Sequence, residues 1–401
     1  MTRRLSSYLL GLAGALLAGC SQSGPALEIS LPMELAGSEF PVAVELPESL
    51  PAEVGVWRIE LKSPNGDSTV YAQSWQESPE SAGSLGPRRL ATFLWDPASG
   101  SGPCRLVFRR PEKEPEPAFT FFERDGKFLD LAENGRPVLS YVFGMNLAEG
   151  VPEDRRRASY IHPVYGLDGE VLSDDFPSDH YHHRGIFWTW PQVFVQGEQF
   201  SLWDIRGIYQ RFEKWLVRNT GPLFADIGVQ NGWYAGERRV VDEKVFFRVY
   251  RAGETVRVID FTLRWEAIGT PVSILGSPDI KGYGGFSLRF APFTDPQLTN
   301  AAGRQAEDSN LVPSAWADLS ARFGGGRETS GAAIFDHSGN LDHPNGWCLR
   351  HYGFVGIAWP GLEPFVLQPG DPLTARYRVV VHRGDAGQAV LARAYQAYLT
   401  F

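Results

Sequence analysis

The segment YIHPVYGLDGEVLSDDFPSDHYHHRGIFWTWPQV (160–193) gathers four of the chain's eight histidines: His162, His180, His182 and His183. It also holds Asp168, Glu170, Asp174, Asp175, Asp179 and Arg184. Much of it lacks the period of a strand or a helix, so it reads as a long ordered loop, and long loops inside compact domains are usually functional. Three chemistries fit these residue types. His180 and His182 put two imidazoles on one side of an extended backbone as candidate metal ligands, with Asp179 or His162 to complete the sphere. A His beside Arg184 and carboxylates can be tuned near neutral pH, which makes His182 and His183 candidate acid–base groups. Asp, Arg and His also hydrogen-bond vicinal hydroxyls while aromatic rings stack on pyranose faces, and Trp188 and Trp190 would supply such a stacking wall. The plain alternative is that the histidines satisfy the loop's own backbone.

Two further stretches carry chemistry. In SPDIKGYGGFSLRF (277–290), Lys281 and Tyr283 lie among Gly282, Gly284 and Gly285, where close backbone approach is possible. A Lys and a Tyr there could stabilise a developing anion or donate a proton; a hairpin with an exposed Lys is the alternative. In FDHSGNLDHPNGWCLRHYGFVGIAWPG (335–361), Asp336, His337, His343, Trp347, Arg350, His351 and Tyr352 present polar groups around a turn. His337 and His343 could meet the first cluster across a sheet. Asp260 stands mid-strand on a polar face, as a ligand contact or in a salt bridge with Arg248, Arg264 or Lys281. His382, at a strand end, reads as structural. With Arg184 holding a substrate carboxylate or hydroxyl pair, the candidate binding set is His162, His180, Asp260, His343, Trp347 and Arg350.

The elements that must position these residues read as strands. TVRVIDFTLRWEA (255–267) alternates with Arg257, Ile259, Phe261, Leu263 and Trp265 on one face. FTFFERDGKFLDL (119–131) reads as a hairpin around Arg124-Asp125-Gly126, and GFSLRFAPF and ARYRVVVHRG continue the pattern. The expectation is a large antiparallel β-sandwich over 119–401, with one polar sheet face open to a ligand. A C-terminal helix is expected over 386–399, capped by Asp385. Residues 27–110 read as a small β-sandwich module, roughly immunoglobulin-like, and the Pro- and Glu-rich run 111–118 as a stiff linker.

The N-terminus has its own chemistry. Arg3 and Arg4 precede a short apolar run ending in Leu17-Ala18-Gly19-Cys20, the pattern of a secretory signal (1–20) with a lipidated cysteine. The expectation is an exported cell-envelope protein, periplasmic or at an outer membrane, held to the membrane only through the lipid on Cys20 and a short polar tether (21–26). The formal net charge of -9 argues against nucleic acid and anionic membrane surfaces as partners. Cys104 and Cys348 fall in separate modules, which disfavours a disulfide.

The segments HPVYGLDGEVLSDDFPSDHYHHRGIFW, DIKGYGGFSLRF and FDHSGNLDHPNGW together resemble the exported PmoA-like proteins, a family of unknown function that carries the label methane oxygenase PmoA. The resemblance covers 119–400 and leaves the N-terminal module outside. By its label it implies a metal-dependent oxygenase. A methane monooxygenase subunit of that name is a polytopic membrane protein, however, and nothing after Cys20 reaches the roughly 18 apolar residues of a span. The resemblance therefore implies family membership and not methane oxidation. The sandwich also looks like the galactose-mutarotase supersandwich, which hosts epimerases, hydrolases and lyases acting on sugars. The functional expectation is a carbohydrate-active enzyme with His182 or His183 as acid–base group and Lys281 and Tyr283 opposite. A non-catalytic glycan- or protein-binding lipoprotein and a metal-dependent oxygenase stand as alternatives. The residues specify no cofactor.

Overall fold

The computed structural model describes residues 25–31, 40–46, 48–50, 54–64, 66–77, 88–95, 102–387 and 389–400. Cys20 and the whole expected signal lie outside the described residues. Over the described residues the chain is mainly β, with several antiparallel sheets and one α-helix near the C-terminus. No helix among the described residues is long and apolar enough to cross a membrane.

Two nine-stranded sheets make the large domain. The front sheet runs from Ser309–Pro313 through Gly346–Arg350, Phe354–Ala358, Gly285–Arg289, Ile186–Thr189, Tyr160–Val164, Arg136–Val142 and Phe128–Glu133 to Phe119–Arg124. The back sheet runs from Ile208–Thr220 through Phe224–Ala235, Arg238–Tyr250, Val256–Ala267, Leu373–Arg383, Ser330–Asp336, Trp316–Phe323 and Phe293–Asn300 to Gly303–Gln305. A four-stranded sheet that includes Gln192–Val195 and Val272–Leu275 adds Val193, Val195, Val272 and Ile274 to the same core. The expected hairpin forms between Phe119–Arg124 and Phe128–Glu133, where Asp125 and Gly126 both take positive φ (56° and 62°), a conformation these two residue types tolerate.

Period-2 alternation builds the core between the sheets. From the front, Ile161, Ile186, Trp188, Phe286 and Leu288 point inward; from the back, Ile259, Phe261, Leu263, Trp265 and Val379 meet them. Ring contacts cross the interface: Phe286 lies 5.1 Å from Phe261 and 4.6 Å from Tyr377, and Trp190 lies 5.2 Å from Trp265. Trp188 and Trp190 are thus core residues at 0% and 1% exposure, not a wall for sugar stacking. Trp347 is in this core too, its indole N–H donated to Ser314 O at 2.7 Å.

One acidic group sits inside. Glu243 is fully buried and accepts hydrogen bonds from Gln210, Asn231, Trp233 and Trp265, each 2.9 Å at its nearest, which ties four adjacent strands of the back sheet to one carboxylate. Asn231 also pairs with Tyr141 of the front sheet, whose hydroxyl burial holds well above its ordinary pKa.

One end of the outer face of the back sheet is covered, contrary to the expectation of a sheet face left open, while Thr262, Arg264 and Glu266 toward the other end stay half-buried. Val256, Val258, Phe335 and Val380 on that face share a second core with the terminal helix and with Trp57, Ile59, Phe93, Leu106 and Phe108 of the N-terminal module. The module's six described strands are joined in one antiparallel hydrogen-bonded set in which Gly66–Gln76 changes partner along its length, from Val56–Ser63 to Arg89–Trp95, and the large domain covers part of its apolar surface. Gln73 fixes the contact, its side-chain oxygen accepting from Leu223 N (3.2 Å) and Phe224 N (3.3 Å). Cys104 and Cys348 are free thiols in different cores.

On this covered face, Asp260 pairs with Arg378 (2.6 and 2.9 Å) and with the Tyr250 hydroxyl (3.1 Å), not with the three partners expected for it. Arg378 in turn lies under Tyr398 of the helix, 4.3 Å from its ring centre. The helix spans Leu391–Thr400 and starts later than expected. Val390 takes a positive φ of 51° just before it, and the Asp385 carboxylate caps only a local turn at Gly387 N (3.0 Å).

Replacing Glu243 with Leu would strand four buried donors, each costing about 1–3 kcal/mol unpaired. Glu243→Leu is expected to destabilise the fold by about 4 kcal/mol or more, read from denaturant unfolding. Glu243→Gln keeps one acceptor oxygen and should lose less.

Candidate functional site

The histidine loop leaves the front sheet at Val164 and re-enters at Ile186. Both of its ends dock on Arg289: Asp174 N donates to Arg289 O, and Arg289 N donates to Gly185 O, each at 3.0 Å. Gly185 is required there, because a Cβ would sit 2.1 Å from Ile161 O. Successive turns, with His180 N donating to Pro177 O (2.9 Å) and His183 N to His180 O (2.8 Å), bring the three histidines onto the outer face of the front sheet. On that face Tyr160, Phe187, Cys348 and Phe354 form a small apolar floor with Trp203.

Arg184 and Arg157 hold the loop in place. Arg184 is fully buried; its guanidinium donates to Tyr181 O, His183 O (2.6 Å) and Arg155 O (2.7 Å) and lies 3.6 Å from the Phe176 ring centre. Arg157, also buried, donates to His182 O (3.2 Å), Trp203 O (3.0 Å) and Leu202 O. Asp175 is their countercharge, 3.4 Å from Arg184 Nε and accepting from the Tyr160 hydroxyl at 2.9 Å. Burial raises the Asp175 pKa to about 6 despite Arg184. Arg184 is therefore a scaffold of the loop and not a group that holds a substrate, because its guanidinium is enclosed and bonded to carbonyls.

The histidines stack. The His180 and His183 rings are parallel (6°) with centres 4.6 Å apart, and His182 stands at 89° to His183 at 4.7 Å. The column continues to Tyr352 beyond His180 (5.3 Å, 10°) and to Phe354 beyond His183 (4.9 Å, 30°). His183 is only 3% exposed, whereas the His180 and His182 side chains keep 35% and 23% of their surface. His182 Nδ1 lies 3.9 Å from Asp204. Burial lowers the His182 pKa to about 4, against the pull of Asp204, and holds His183 well below the ordinary range. Both imidazoles are neutral at pH 7.

Asp179 lies between His180 and Arg289. Its Oδ2 is 2.9 Å from His180 Nδ1 at an angle that leaves that nitrogen without a hydrogen bond, and both its oxygens accept from Arg289 Nη2 (2.9 and 3.0 Å). Tyr283 packs on Trp203 at 4.8 Å, and burial lifts its hydroxyl pKa to about 12. Lys281 is at the rim, half exposed and 3.6 Å from Asp279.

Other expected members lie elsewhere. His162 is beneath the loop, bonded to Ser173 Oγ at 3.0 Å, and burial lowers its pKa to about 4. His343 is bonded to Asp336 (3.1 Å) and Tyr395 (3.2 Å) against the helix, and His337 packs on Tyr398, so neither meets the first cluster. Arg350 spends its donors on Ser309 O, Leu349 O and Asn310 at the sheet edge. Asp260 and Trp347, described above, are also remote in role. As for metal, the parallel planes of His180 and His183 keep their in-plane lone pairs from converging, and His180 and His182 stand at 87°. Among the described residues, no group of three or more His, Cys, Asp or Glu is placed to hold an ion. Arg289, Asp204, Trp203 and Arg157 were not singled out from sequence; only the alternation of GFSLRF, which puts Phe286 and Leu288 inward and Arg289 outward, pointed to one of them.

A family model described as "Family of unknown function (DUF6807)" matches residues 129–396. The chain belongs to this family. No curated protein matches the chain. The DUF6807 region takes in the histidine loop, the glycine turn before Arg289 and both nine-stranded sheets nearly whole, and leaves out the N-terminal module.

The lowered histidines set a pH dependence. His162 and His182 have folded pKa values near 4 against 6.5 unfolded, so the unfolded chain binds more protons between those values. Their contribution is complete above pH 6.5 and is lost as pH falls toward 4. Asp175, raised from 3.8 to about 6, works in the opposite sense. Asp174 and His382, also raised, work with Asp175, and His183 and His337, also lowered, add to the larger number of groups that favour the neutral-pH fold. The melting temperature is expected to drop between pH 7 and pH 5, and a His162→Gln/His182→Gln variant should show a shallower drop.

Proposed function

We propose that this chain is an exported, lipid-anchored protein of the cell envelope that acts on carbohydrate, as a hydrolase, lyase or epimerase, with His182 as its acid–base group. Export and anchoring rest on Arg3, Arg4 and the Leu17-Ala18-Gly19-Cys20 sequence. The observation that carries the reading on catalysis is the imidazole cluster itself: His180 and His182 are partly open to solvent, neutral His182 is close to the Asp204 carboxylate, and Tyr283 and the exposed Tyr352 are at hand. A neutral imidazole accepts a proton from a sugar hydroxyl or ring carbon, and a carboxylate beside it stabilises the imidazolium that forms. Tyr283, protonated at neutral pH, is suited to donate on the other side of the reacting carbon. Arg184 serves by positioning. His183, enclosed between His180 and Phe354, orients the cluster rather than touching substrate.

Binding without turnover is the second reading. It is favoured by exposed apolar side chains around the Lys281 turn, Ile280 at 77% and Val312 and Leu362 at just under half, which suit capture of a larger partner. The oxygenase reading that comes with the PmoA-like resemblance has less support, since the nitrogens of the cluster do not converge on a point.

A panel of oligosaccharides incubated with purified protein, followed by product analysis, tests the proposal. Turnover of at least one glycan is expected, with His182→Ala lowering kcat/KM by about 10²–10⁴-fold in protein that is still folded by circular dichroism. Equal turnover by His182→Ala would remove His182 from the chemistry. Binding by the wild type without any product would favour the second reading.

A further inference from the structure

Arg289 is bonded in an unusual way for a buried guanidinium. Its side chain is 7% exposed and lies 4.7 Å from the centre of the Tyr352 ring. Its one carboxylate partner, Asp179, places both oxygens on a single nitrogen, Nη2, while Nε and Nη1 are buried with no hydrogen-bond partner. A carboxylate fits a guanidinium best along an edge, one oxygen to each of two nitrogens, and that arrangement adds both strength and geometric selectivity. Two unpaired buried donors are costly unless something accepts from them. Asp179 itself keeps 45% of its side chain exposed, on the solvent side of Arg289. The neighbouring unpartnered atoms include the Trp203 indole N–H, another donor, and His183 Nδ1, which can donate or accept. The floor of the histidine site is therefore rich in donors that lack acceptors.

We propose that the Arg289 guanidinium is the receptor for a carboxylate on the substrate, and that the substrate is an acidic sugar, a uronate residue within a glycan. The sugar's carboxylate displaces Asp179 from Nη2 and takes an edge of the guanidinium, while its ring lies by Tyr352 and the His180–His182 pair. Asp179 is a gate carboxylate that occupies the receptor when no ligand is present. No bond is made or broken in this step; one carboxylate replaces another. The inference rests on the carbohydrate reading above and narrows it to a substrate class.

The test is calorimetric titration of the full chain at pH 7 with oligogalacturonate and oligoglucuronate, and with neutral galactose and glucose oligomers of equal length as controls. Wild-type protein is expected to bind one of the acidic probes at least tenfold tighter than its neutral counterpart. Arg289→Gln should lose that preference. Because that variant removes a buried group and could fail to fold, Asp179→Asn is the second arm. Taking away the competing carboxylate should tighten acidic-sugar binding several-fold and leave neutral-sugar binding unchanged, which a merely structural Asp179 would not do. Neutral oligomers bound as well as acidic ones, with Asp179→Asn without effect, would overturn the acidic-sugar proposal and leave the carbohydrate reading standing. Binding of none of the four probes would overturn the proposal, while the glycan panel described above judges the broader reading.

Discussion

Two guanidinium groups buried under one loop are the constraint on which the front of this molecule depends. Arg157 and Arg184 between them donate to six backbone carbonyls, those of Arg155, Tyr181, His182, His183, Leu202 and Trp203. A loop as long as this one carries many backbone groups that no sheet partner satisfies, and burying them unpaired is costly. Arginine suits the task because its fork presents several donors in a fixed plane. The cost of enclosing two positive charges is met in part by Asp175, itself held by Tyr160 of the underlying strand. His180 and His183 are thereby set in a stack, with His182 edge-on beside them, whose geometry is a property of the scaffold and not of the histidines.

The two faces of the sandwich have been put to different uses. On the rear, the N-terminal module and the terminal helix cover one end of the outer surface of the back sheet, and polar groups there, Asp260 with Arg378 and His343 with Asp336, are spent on one another. On the front, the loop covers only part of the outer surface, and its polar groups keep some access to water. Glu243 links the faces mechanically. It gathers four strands of the back sheet from inside and is joined through Asn231 to Tyr141 of the front sheet.

The chemistry of the front site follows from desolvation. Burial keeps His182 and His183 neutral, so the rings stand at this site as uncharged hydrogen-bonding groups rather than as cations. The positive charge that remains next to the cluster is that of Arg289, whose bonding to Asp179 is incomplete. A neutral base beside an undersatisfied guanidinium is suited to a ligand that brings both hydroxyls and an anionic group.

Sequence by itself determined the class of the fold and the loop on which most of the histidine-rich run lies. Alternation in 255–267 and 119–131 is a local property of the chain, and it names strands and their inward faces because a pleated backbone sends successive side chains to opposite sides. The aperiodic, His-rich run within 160–193 is legible as a loop for the same reason: it lacks a period. The partner of each charge was decided only by the tertiary structure. Arg184, next to the histidines in sequence, turned inward, while Arg289, over a hundred residues away, came to Asp179 because the strand Gly285–Arg289 pairs beside Ile186–Thr189. Likewise Trp188 and Trp190 became core, and His343 and Asp260 were drawn to the rear, because which face of a sheet is covered depends on what packs against it. Sequence spacing carries no such information; pairing between distant strands does.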